Sequence, residues 1–89
     1  MTAADFQTTL AAARASLDAL CAAYPDNGAL SAASRQLAHV AAWTRDGAAP
    51  SLEDRQRLSF GLIAAREIEP LDPDLADQLY ALAEHLRPR

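Results

Sequence analysis

The sequence predicts an all-α fold, a compact antiparallel four-helix bundle. Apolar side chains recur at three- and four-residue steps in four successive segments, and strict alternation is absent. β-Branched residues are few, which removes the usual material of strands. The segments are separated by capping and helix-breaking residues at spacings that leave short connections, so neighbouring helices are expected to run antiparallel.

The first segment runs from about Ala3 to Tyr24 and places Phe6, Leu10, Ala13, Leu17, Leu20 and Tyr24 on one face. Thr2 followed by Asp5 is a variant of the capping box, and Pro25-Asp26-Asn27-Gly28 ends the helix and turns the chain. The second segment, about Ala29 to Asp46, turns Leu30, Ala33, Leu37, Val40, Ala41 and Thr44 inward, with Gly47 as a left-handed cap. Ala32, Gln36, His39 and Trp43 form its neighbouring stripe.

The third helix starts at Ser51, an N-cap followed by Glu53 and Asp54 in the first turn, where carboxylates meet the positive end of the helix dipole. Leu52, Ser59, Phe60, Leu62, Ile63 and Ile68 give it a wide apolar arc, suited to a helix with more than one neighbour. Gly61 inside it costs about 1 kcal/mol relative to alanine, and close approach of another helix is the usual reason for such a residue. The helix must stop before Pro70, and Asp72-Pro73 opens the fourth with an N-cap and a proline at the first helical position. Leu75, Leu79, Leu82 and Leu86 face the core there, beside Ala76 and Ala83.

At 89 residues the chain fits one domain, 1–89, with a single core. The net charge of −4 argues against nucleic acid or an anionic membrane as the main partner, because both need clustered cations. A basic protein face remains a suitable partner. Cys21 is the lone cysteine, and neither a signal-peptide pattern nor an apolar stretch of membrane length is present. A soluble protein of the reducing cytoplasm is therefore expected. All eight cations are arginine, which together with the abundant alanine reads as the codon usage of a GC-rich bacterium.

Catalytic chemistry is not expected. His39 and His85 have no nucleophile at a useful spacing, Cys21 falls beside the inward stripe of the first helix, and no phosphate-cradling glycine loop or metal-ligand spacing occurs. No cofactor and no metal is implied. What stands out is a corner of five carboxylates. Asp72, Asp74 and Asp77 open the fourth helix, where the dipole favours them, whereas Glu67 and Glu69 close the third, where negative charge costs about 0.3–1 kcal/mol. A solvated turn accounts for such a corner as readily as a surface for a basic partner does. Trp43 and Tyr80 are the candidate aromatic anchors.

Tyr24-Pro25, Ser31 with Gln36-Leu37, and above all the run RLSFGLIAAREIEPLDPDLADQL from Arg57 resemble small bacterial immunity proteins of the type VI secretion system, of the family that neutralises an NAD(P)+-hydrolysing effector toxin. The likeness covers about Leu10 to Leu86, and its most specific element is the spacing of Gly61, Ala64, Glu67, Asp72-Pro73 and Leu75. The resemblance implies an all-α protein without activity of its own that binds a cognate effector toxin domain in the cytoplasm and covers its active site. On that reading Glu67, Glu69, Asp72, Asp74, Asp77, Trp43 and Tyr80 are the expected toxin-binding residues. The other reading of the residues is a non-catalytic helical adaptor, or a homodimer that buries Trp43 and Tyr80.

Overall fold

A computed structural model describes residues 1–87. Five α-helices and one π-helical turn follow in order: α1 (Ala3–Ala23), α2 (Gly28–Trp43), α3 (Leu52–Gln56), α4 (Phe60–Ile63), π1 (Ala64–Ile68) and α5 (Pro73–Leu86). No strand occurs among the described residues. Four long bodies form a ring, in which α1 packs on α2 and α5, and the continuous α4–π1 segment closes the other side between α2 and α5. The all-α bundle expected from periodicity is the fold observed, with the short α3 added at one end.

The capping signals act where the sequence places them. The Thr2 hydroxyl accepts from the Asp5 N–H at 3.1 Å while the Asp5 carboxylate accepts from the Thr2 N–H, a reciprocal capping box. Asn27, read from the sequence only as part of the turn, also caps α2: its side chain accepts from the N–H groups of Ala29 and Leu30. Asp72 accepts from the Leu75 N–H at 3.1 Å and Pro73 takes the first helical position of α5. α2 ends at Trp43, earlier than expected, and Gly47 supplies a positive φ of 80° in the turn that follows the helix end.

The expected single third helix is interrupted. A continuous helix would send the Ser59 N–H back to the Arg55 carbonyl. Instead that N–H donates to Gln36 Oε1 at 2.8 Å, and Gln36 Nε2 donates to Ser59 Oγ at 2.9 Å. One amide on α2 thus pairs with both the N–H and the hydroxyl of Ser59 at the break, where the chain leaves α3 and starts α4. Ser51 still caps α3 through the Asp54 N–H, but the helix it starts is five residues long. The break also changes the apolar arc: Phe60 and Ile68 are buried, Ile63 is half-buried, and Leu52 and Leu62 are 47% and 55% exposed.

Beyond Ile63 the helix widens, and the Glu69 N–H reaches the Ala64 carbonyl at 2.8 Å, five residues back. Phe60, Ala64 and Ile68 are each four residues apart and all buried. That spacing drifts around an α-helix, and a wider turn brings it back over the core. Those three side chains join Phe6, Leu10, Leu17, Leu37, Val40, Leu75, Leu79 and Leu82 in one cluster. Gly61 does mark a close approach: a Cβ built there would lie 3.1 Å from Ala83 Cβ on α5. Tyr24, placed by its spacing on the inward stripe of α1, is instead 46% exposed.

Candidate functional site

The helix ring has two distinct ends. The Gln7 side chain of α1 donates to Thr44 Oγ1 just past α2, and Phe6 lies 4.7 Å, ring to ring, from His85 on α5. The start of α1, the end of α2 and the end of α5 therefore meet at one end. The acids collect at the opposite end, where π1 turns into α5.

There the carboxylates divide by role. Asp72 is half-buried and its side chain is committed to capping α5. Glu67, Glu69, Asp74 and Asp77 are exposed, and none of them makes an ion pair among the described residues. Tyr80 belongs with them. It stands one helical turn after Asp77, is half-buried against the core cluster, and its phenol is held above its ordinary pKa by partial burial, then by the charges of Glu69 and Asp77. An aromatic ring beside exposed carboxylates is suited to a cationic partner group: the ring supplies contact area and a face for an arginine, and the acids supply charge.

Trp43 is elsewhere. It is half-buried on α2, stacked on His39 with ring centroids 5.7 Å apart, and the α4–π1 segment packs between α2 and the helix that carries Tyr80. The structure brings Glu69, Asp77 and Tyr80 together and leaves Trp43 outside that group.

The side chains that could suggest catalysis are dispersed. His39 and His85 are both exposed and each rests on an aromatic ring. Burial, and secondarily the charge of Asp18, pushes the Cys21 thiol above its ordinary pKa, which lowers its thiolate fraction and hence its reactivity. No group of three or more His, Cys, Asp or Glu side chains able to hold a metal converges among the described residues.

Two adjoining pockets at the other end of α5 were not foreseen. One of about 180 Å³ includes Phe6, Thr44, Arg45, Pro50, Arg55 and His85 in its wall. A second of about 330 Å³ includes Arg55, Phe60, Leu62, Ala83, Leu86 and Arg87. Their only advance signal was Gly61, whose missing side chain lets α4 approach α5 beside Leu62 and Ala83.

A family model described as Tsi6 matches residues 4–87. The chain belongs to the Tsi6 family. Tsi6 is a type VI secretion immunity family, so membership implies a cognate effector protein as partner and a non-enzymatic immunity role. No curated protein and no solved structure matches the chain. For a Tsi6 protein, the dispersed histidines and the half-buried thiol need no catalytic account. No helix among the described residues is long and apolar enough to cross a membrane.

Proposed function

We propose that this Tsi6-family protein neutralises an NAD(P)+-degrading effector in the cytoplasm by covering the effector's catalytic cleft, and that the Glu69–Asp77–Tyr80 group, with Glu67 and Asp74 around it, makes the decisive contact. The observation that carries the reading is the collection of exposed carboxylates where π1 turns into α5, with half-buried Tyr80 one helical turn beyond Asp77, in a chain of an immunity family. A cleft that holds a dinucleotide's pyrophosphate must offer positive charge or oriented N–H groups. Carboxylates meet those same groups, so an acidic surface occupies the cleft by satisfying donors that the cofactor would otherwise take. Opposite charge accelerates encounter, while the half-buried ring slows release.

The remaining acids fit this division. Asp72 acts through α5, since its capping bond fixes the turn that presents Asp74 and Asp77. Trp43 lies off this surface, and its substitution is expected to alter affinity less than that of Tyr80.

Association kinetics test the proposal. Reversing Glu67 and Asp74 together to arginine is expected to slow association with the catalytic domain of the cognate effector and to flatten its salt dependence, with the helical circular dichroism signal intact. Tyr80→Ala is expected to act mainly on dissociation. An association rate unchanged by the double reversal at low salt would make the acidic corner a solvated turn and place the interface elsewhere.

A further inference from the structure

The two pockets at the carboxy-terminal end of α5 share Arg55 and Leu86, and so form one groove that runs from Phe6 and Pro50 across Arg55 to Leu62 and Ala83. In a chain of net charge −4, every ionisable side chain lining this groove is cationic or a histidine: Arg45, Arg55, His85 and Arg87. The nearest acid on α5, Glu84, is held by Arg87 at 3.5 Å. Arg55 stands at the middle with its Nε buried and without a hydrogen-bond partner among the described residues. Apolar surface lies on both sides of it, with Phe6 and Pro50 in one pocket and Phe60, Leu62 and Ala83 in the other.

Size indicates what kind of ligand suits the groove. Sites for whole small molecules enclose about 300–1,000 Å³. The first pocket, at about 180 Å³, falls below that range, and the second, at about 330 Å³, is at its lower edge. The first is the size of a pocket for one side chain, and the second has room for more than one. The groove reaches towards the acidic surface along one face of α5, because Tyr80 in the middle of the helix and Arg87 just past its end are seven residues, two helical turns, apart. Seven residues of helix rise by roughly 10 Å, well within a standard protein interface of about 800 Å² per partner.

We infer that this groove is a second contact for the same effector, one that receives a segment with the pattern apolar–acidic–apolar, its carboxylate over the Arg55 guanidinium and its apolar side chains in the two flanking pockets. The inference rests on the immunity reading and extends it. The effector would meet an acidic surface and a cationic groove in fixed order along α5, and that alternation sets the register and excludes effectors whose charges are reversed.

The test is calorimetric titration of the cognate effector's catalytic domain with wild type, Arg55→Glu, Leu62→Asp and Trp43→Ala. Leu62 is 55% exposed, so its substitution tests the groove without entering the core, and thermal melts of all four proteins verify folding. The expected result is at least a tenfold loss of affinity for Arg55→Glu and for Leu62→Asp, with Trp43→Ala close to wild type. Wild-type affinity for both groove variants overturns the inference and leaves the immunity reading standing. An effector domain that does not bind the wild type overturns both.

Discussion

Replacing Gly61 by alanine sets two effects of known sign against each other. The Cβ would sit 3.1 Å from Ala83 Cβ, about 0.4–0.9 Å closer than the best carbon–carbon separation of about 3.5–4.0 Å. Both atoms are fixed to helix backbones, so relief requires α4 and α5 to separate, and forcing extra bulk into a packed contact costs about 1–3 kcal/mol. Against this, alanine in a helix interior is better than glycine by about 0.8–1.0 kcal/mol, and less than that here, because Gly61 is the second residue of α4. The expected net result is destabilisation by about 1 kcal/mol. A double-mutant cycle with Ala83→Gly isolates the contact, since that change removes the opposing Cβ whatever glycine costs α5 on its own. Urea unfolding followed by circular dichroism at constant m-value should give a coupling of about 1–2 kcal/mol, with Gly61→Ala tolerated in the Ala83→Gly background. If Gly61→Ala stabilises the protein and the two changes add within about 0.3–0.5 kcal/mol, close packing is not why glycine stands there.

Three further outcomes follow from the same geometry. Leu37→Ala, at a fully buried position on α2, should lower the unfolding free energy by about 2–5 kcal/mol in the same denaturation assay. Asp72→Ala removes the bond to the Leu75 N–H and should cost about 1 kcal/mol, with Asp72→Asn recovering most of it. The Tyr80 phenol, held above its ordinary range by burial and by Glu69 and Asp77, should ionise at lower pH in a Glu69→Gln/Asp77→Asn variant, as read by tyrosinate absorbance. Because the folded state holds that proton more tightly, the associated stability is present below the ordinary tyrosine range and is lost as pH rises through the folded value. An unchanged titration in that variant would remove the acids as a cause.

The parts of this fold that were legible in the sequence are those set by local chemistry. The boxes and caps at Thr2, Ser51 and Asp72 involve bonds over three residues, so residue type and spacing suffice to place them. The break at Ser59 was not legible in this way, because the amide that permits it comes from Gln36, 23 residues earlier in the chain. Periodicity alone ran one helix through the gap and turned Leu52 and Leu62 inward. The widening at π1 had a faint trace in the four-residue spacing of Phe60, Ala64 and Ile68. At the site, the clustering of acids could be seen because both helix ends adjoin one turn. That Tyr80 joins them while Trp43 does not depends on how α4 and π1 pack between two helices, which no local pattern encodes. The Arg55 groove depends on three chain segments meeting and was invisible for the same reason.

The central claim is that this protein inhibits by occupying its effector's catalytic cleft. Its most direct test is a titration of NAD+ turnover by the cognate effector's catalytic domain, run well above the dissociation constant, with increasing amounts of the protein. Turnover should fall linearly and reach zero at one equivalent, and excess NAD+ should slow the onset of inhibition as it competes for the cleft. A stable one-to-one complex that still turns over NAD+ at the free rate would contradict the account.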